Sequence, residues 1–254
     1  ATIYTGQIYG ENCCVVIPND PSHLGAIWRF VISGKFSEEL KKIDSGFAVS
    51  VKTMLAVPFD PDEWNDSSDP GPDPTSPESD DPTQWAFHGM PAETLEALQV
   101  GTARLLGMRW PAERDPALQL SLRARELIKR CSSLHRHADR DGIVALNPVK
   151  GEQPAAARLL ALLADSFGSE WSAAKLDGLL AQVGFAGKTL DDWLRDGFFE
   201  QHCALFHQRP FVWHIWDGRR DGFHALVNYH RLAAPNGEGR RTLEKLLYSY
   251  LGDW

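Results

Sequence analysis

The stretch Phe211-Val212-Trp213-His214-Ile215-Trp216, Asp217-Gly218-Arg219-Arg220-Asp221-Gly222, Phe223-His224-Ala225-Leu226-Val227-Asn228-Tyr229-His230 reads as a β-hairpin. Aromatic and β-branched residues fill both flanks, and a polar segment with two glycines joins them, which is the composition of two paired strands and their turn. Everything upstream back to Pro154 follows a helical period instead. Leu159, Leu160, Leu162 and Leu163 come first, then Leu176, Leu179, Leu180 and Val183, then Leu190, Trp193 and Leu194. Phe198 to about His207 continues as helix, and Thr242 to Leu251 supplies a last one beyond the hairpin.

Further upstream, Pro91–Leu106 predicts a helix with Leu95, Leu98, Ala103 and Leu106 on one stripe, and Leu118–Cys131 predicts a basic amphipathic helix. His135–Asp141 reads as a polar loop. Asn65–Pro82 is rich in Asp, Ser, Pro and Gly and lacks the apolar residues that would let it fold by itself. Before it, Ile3-Tyr4-Thr5 and Cys13-Cys14-Val15-Val16-Ile17 are β-like. Leu24, Ile27, Trp28 and Val31 mark a helix, Phe36–Ile43 a second, and alternation over Phe47–Lys52 another strand. The expected fold class is therefore α+β: a small mixed α/β module over 1–64, an acidic connector over 65–90, and a mainly helical region over 91–254 with the hairpin at 211–230. A chain that opens in β-like stretches also predicts a piece of a longer protein.

The 254 residues carry 26 Lys and Arg against 34 Asp and Glu, for a formal net charge of −8. The charge is segregated. Nine of the acids lie between Asp60 and Asp81 with no cation among them, whereas Gly101–Lys150 has ten cations against five acids. Binding to a polyanion depends on a local patch rather than on the total, so the balance does not exclude nucleic acid. No apolar run approaches the roughly 20 residues of a membrane span, and the start lacks the basic and apolar regions of a signal peptide. A cytoplasmic location with reduced thiols at Cys13, Cys14, Cys131 and Cys203 is expected.

Catalytic motifs are missing from the sequence. It has no phosphate-binding Gly-x-x-x-x-Gly-Lys loop, no Gly-x-Ser-x-Gly elbow and no His-Glu-x-x-His pair, so no catalytic residue is assigned. His202, His207, His214, His224 and His230 form a histidine-rich tract, but their spacing does not make a converging ligand set; no metal is expected and packed imidazoles are the simpler reading. Trp213, Trp216, Phe211 and Phe223 suit a sheet core better than a base-stacking platform. Arg219 and Arg220, at a hairpin tip, are either solvated charges or contacts to phosphate or guanine. Ser50, Lys52 and Thr53 leave the same choice open.

Several segments together are similar to a known family. These are Lys42-Ile43-Asp44 with Val49-Ser50-Val51 and Val57-Pro58-Phe59-Asp60, then Asp80–Trp85 with Phe87-His88-Gly89, then Asp192–His202, and finally Phe206–Gly218 with Leu226–His230. The series resembles the C-terminal target-recognition region of the large adenine-specific (N6) DNA methyltransferases of BREX and DISARM phage defence and of single-chain restriction–modification enzymes. The Arg-Pro-Phe-x-Trp-His-x-Trp run from Arg209 to Trp216 is its most specific part. The resemblance covers nearly the whole chain. It implies double-stranded DNA as partner, an N-terminal methyltransferase domain in the same parent chain, and other defence-system subunits beyond that. No cofactor is expected here; S-adenosylmethionine and an Asn-Pro-Pro-Tyr segment would belong to the parent's other half. The residues expected on DNA are Arg123, Lys129 and Arg130 for phosphates, and Arg219, Arg220 or Ser50, Lys52 and Thr53 for bases. A protein-interaction module of a defence complex, using the aromatic hairpin, is the alternative. A metal-dependent hydrolase built on the histidine tract is a third reading.

Overall fold

The computed structural model describes residues 15–44, 50–65, 79–118 and 120–254, and the chain divides into two compact units, Ala1–Pro77 and Glu78–Trp254. The architecture is α+β.

Among the described residues of the first unit the regular elements are helical. Asp20 accepts from the Ser22 amide at 2.9 Å and starts a 3-10 turn at Pro21–His23 that leads into α1 (Leu24–Ile32). Gly34 breaks the chain and α2 (Lys35–Ile43) follows, with Lys41 and Lys42 in its last turn, where cations offset the helix dipole. Phe30 is the centre of the packing, with the rings of Phe59 and Trp64 at 5.4 and 5.2 Å. Two strand expectations are corrected here. Val15–Ile17 has no regular structure, and Val51–Leu55 is a short helix, α3. The reason is local: Ser50 caps that helix by accepting from the Thr53 amide at 3.1 Å, which outweighs the alternation read from Phe47 to Lys52. The strands expected at Ile3–Thr5, Cys13-Cys14 and Phe47–Val49 lie outside the described residues.

The second unit is built around α4 (Ala97–Leu105), every residue of which is buried. That burial needs Gly101, because a side chain there would press on Leu159 and Leu163 at 3.0 and 3.1 Å. The partner is α7 (Ala155–Phe167), which presents Leu159, Leu162 and Leu163. Between them come α5 (Pro111–Arg114), α6 (Leu122–Cys131), a 3-10 segment at Ser132–His137, and β1 (Ile143–Ala145). After α7 follow α8 (Ala173–Gln182), α9 (Leu190–Asp196) and α10 (Phe198–Leu205). The hairpin is β2 (Val212–Trp216) with β3 (His224–Asn228), in antiparallel register from Val212↔Asn228 to Trp216↔His224. Then come α11 (Tyr229–Leu232), α12 (Glu238–Lys245) and a π-helical continuation at Leu246–Leu251.

β1 completes the sheet in the order β1-β3-β2, pairing Ile143 with Val227 and Ala145 with Ala225. The two faces are covered differently. Val144, Val212 and Leu226 join the core of α4, α7, α9 and α10, whereas Ile143, Ala225 and Val227 pack on Leu246 and Tyr250. β3 is thus buried on both faces, which is why His-Ala-Leu-Val-Asn lacks polar alternation.

The last part of the acidic 65–90 stretch is no connector. Phe87 and Met90 are core residues, the Trp110 indole donates to the Pro82 carbonyl at 2.9 Å, and the division between units falls at Pro77. Leu95, expected on the apolar stripe, is exposed, because Pro91–Glu93 is a 3-10 turn and the α-helix begins only at Ala97.

Candidate nucleic-acid interface

Helix α6 begins where Ser121 accepts from the Ala124 amide at 3.0 Å. Its buried stripe is Ala124, Leu127 and Cys131; Leu127 and Cys131 pack with Met90 and Leu134, and Ala124 with Ala112 and Leu120. Burial in this packing pushes the Cys131 thiol up to about 11, so it stays protonated. The outward half of the helix carries Arg123, Arg125, Lys129 and Arg130 against one acid, Glu126. Arg123 reaches Glu93 at 3.0 Å and Arg130 reaches the same carboxylate at 3.6 Å. Arg125 and Lys129 have no ion-pair partner among the described residues. Arg125 was not among the residues expected on DNA, although its spacing of four from Lys129 puts both on one side of the helix.

Under this helix lies a buried ion pair. Arg104 and Glu113, 2% and 4% exposed, meet at 2.8 Å. Glu113 also accepts from the Trp110 amide at 2.8 Å, and Arg104 donates to the Gly89 carbonyl. Gly89 has φ +81°, and any side chain on it would collide with both charged groups. The neighbouring His135 is held below its usual range, by burial first and then by Arg109 and Arg104.

The hairpin tip is the second cationic feature. Asp217 accepts from the Arg219 amide at 2.9 Å, and that bond is the main cause of its lowered pKa. Arg219 is exposed at the surface, while Arg220 is held by Asp196 at 3.0 Å. Below the tip, His224 Nε2 is 2.9 Å from the Arg219 carbonyl and His214 Nε2 is 2.9 Å from His224 Nδ1. With both rings neutral, one assignment serves both contacts: His224 Nε2–H donates to the carbonyl and His214 Nε2–H donates to His224 Nδ1. Burial lowers His214 to about 4, in keeping with a neutral ring. Trp216 stacks on His224 at 5.5 Å and remains half exposed.

The other expected residues divide by unit. Ser50, Lys52 and Thr53 lie in the first; Ser50 and Thr53 bond to each other at 2.8 Å in the cap of α3, and Lys52 is exposed. Arg123, Lys129 and Arg130 share α6, and Arg219 and Arg220 share the hairpin turn. Glu93 was missed, since nothing in its sequence neighbourhood marks a carboxylate that would meet a helix 30 residues on.

The histidine tract does not assemble. His202 is in the core, His214 and His224 pair, and His207 and His230 are exposed. Among the described residues no three His, Cys, Asp or Glu side chains come together as metal ligands do. A cavity of about 540 Å³ beside β1 is lined by Asp139, Asp141, Glu152, Arg140, Lys150 and Arg158. Its charges mostly answer one another, with Arg158 on Asp139 at 3.0 Å and on Glu152 at 3.4 Å. Among the described residues no helix is long and apolar enough to cross a membrane.

Comparison with protein-family models, curated proteins and solved structures gives no match to this chain.

Proposed function

We propose that the chain contacts double-stranded DNA through the outward face of α6, as the target-recognition and clamping part of an adenine-N6 DNA methyltransferase of restriction–modification or phage-defence type. The observation that carries the DNA reading is the charge of that face: four cations to one acid on a helix whose other half is anchored in the core. Two cation pairs on the exposed half of a helix answer the phosphate backbone without regard to sequence, and cations without partners add the most. The methyltransferase parentage rests on the resemblance of the Arg209–Trp216 and Asp192–His202 runs. On this reading S-adenosylmethionine is held by an N-terminal domain of the parent, other defence-system subunits are further partners, and the location is cytoplasmic. The hairpin tip, with Arg219 exposed, is the candidate for contacting bases.

The test is a titration of a labelled duplex with the protein over a salt series. Binding that weakens steeply with salt and is lost in the double variant R125E/K129E supports the proposal. No retardation of any duplex at low salt refutes it.

A protein-interaction role is favoured by one observation. Leu243, Leu247 and Leu251 are all at least 41% exposed along the last helix, with Tyr248 at 77%. A partner complex indifferent to salt and to L247E would speak against that face, and one abolished by L247E would favour it.

A further inference from the structure

Two arginines seven residues apart, Arg123 and Arg130, lie one above the other on α6 and converge on Glu93. Each takes its own carboxylate oxygen: Arg123 Nη2 is 3.0 Å from Oε2 and Arg130 Nη1 is 3.6 Å from Oε1. An anion with two oxygens shared between two guanidiniums has the charge and donor pattern of a phosphodiester with its two non-bridging oxygens. The backbone that carries Glu93 is also tied down. Glu93 ends a 3-10 turn whose Pro91 is buried, its own amide donates to Met90 at 3.2 Å, and the preceding Ala92 amide donates to Ser166 of α7 at 3.1 Å. The side chain remains 30% exposed, and those of Arg123 and Arg130 are more than half exposed, so another anion can reach the seat.

We propose that Arg123 and Arg130 form a phosphate seat in which Glu93 is the built-in competitor, restraining sequence-independent DNA binding. A backbone phosphate must displace the carboxylate before it gains either guanidinium. Sequence-independent affinity is thereby held down, and the share of binding left to base contacts rises. This rests on the DNA reading given above. Arg125 and Lys129 lie outside the seat and attract DNA without this competition.

The experiment compares the full wild-type chain with E93Q, E126Q and E93Q/R123A/R130A on a labelled duplex of mixed sequence, over a salt series. Gln is isosteric with Glu, and position 93 is at the surface, so folding is checked simply by unchanged thermal unfolding. E93Q is expected to bind roughly tenfold tighter at low salt, with a log–log salt slope steeper by about 1 to 2 as one or two further phosphate contacts form. E126Q, which removes an acid of the same helix that holds no arginine among the described residues, controls for loss of charge alone and is expected to gain much less. In the triple variant the gain disappears. A gain in E93Q no larger than in E126Q, or one that survives the loss of both arginines, overturns the proposal while leaving the DNA reading intact. Absence of binding by every variant overturns both.

Discussion

The backbone N–H of Val212 donates to Nε2 of the buried His202 at 3.2 Å, so the first residue of the hairpin is tied to a side chain of α10. The other ring nitrogen of His202 is 3.1 Å from Gln99 Oε1 on α4, and Gln99 in turn donates to the Phe198 carbonyl at 3.2 Å. With Nε2 accepting, Nδ1 carries the proton and the ring is neutral.

Burial holds His202 down at about 4, against an ordinary 6.5. A histidine whose folded pKa is depressed takes up its proton more readily when unfolded. Its contribution is complete above about pH 6.5 and is lost as pH falls toward 4, by about 3 kcal/mol at most. His214, lowered to about 4 by burial and by His224, acts in the same window. Thermal stability is expected to fall steadily as pH drops from 6.5 to about 5.5, above the range in which most carboxylates titrate. A melting temperature flat across that interval would contradict this.

Gly89→Ala is expected to destabilise the second unit by about 2 to 4 kcal/mol, since the new methyl group meets both members of the Arg104–Glu113 pair in a left-handed backbone. Glu113→Gln leaves Arg104 charged and buried without its counterion, at a cost of about 3 to 5 kcal/mol. Chemical denaturation of the two variants checks both figures, and a change below 1 kcal/mol, about the scale of a surface ion pair, would mean that the site relaxes.

Ser50→Ala removes the side-chain cap of α3 and should cost about 1 kcal/mol of local stability. Amide hydrogen exchange over Val51–Leu55 is the readout, with faster exchange expected there and none elsewhere.

On the proposed DNA reading, Lys129→Ala is expected to lower the salt slope of binding by about 1, because this ammonium has no competing carboxylate among the described residues. Arg220→Ala should change it less, since that guanidinium already sits on Asp196. Equal effects of the two would show that the Asp196 contact is not maintained in solution.

Much of this architecture was readable where one residue type dictates local geometry. The glycines and Asp217 of the hairpin turn and the leucine stripe of α7 are local signals, and each element formed; the basic helix formed too, but from Leu122 rather than the expected Leu118, because Ser121 caps it there. β1 escaped notice because three residues are too few to show a period, and its pairing is with Val227, far along the chain. Ser50–Lys52 misled because alternation and a capped turn share a pattern over so short a span. The candidate interface was half legible. That α6 would be basic follows from composition, but which cations are engaged depends on Glu93 and Asp196, and those acids are brought to α6 and to the hairpin only by tertiary packing.

The three strands also differ in how they can assemble. β2 and β3 are joined by a short turn and can find each other within microseconds, as hairpins do, whereas Ile143 and Val227 meet only after the whole of α7 to α10 has been gathered between them. Loop closure of that length sets β1 docking late in folding. Until then the inner edge of β3 stays open, and a nascent chain stalled at this stage would offer that edge to another copy of itself.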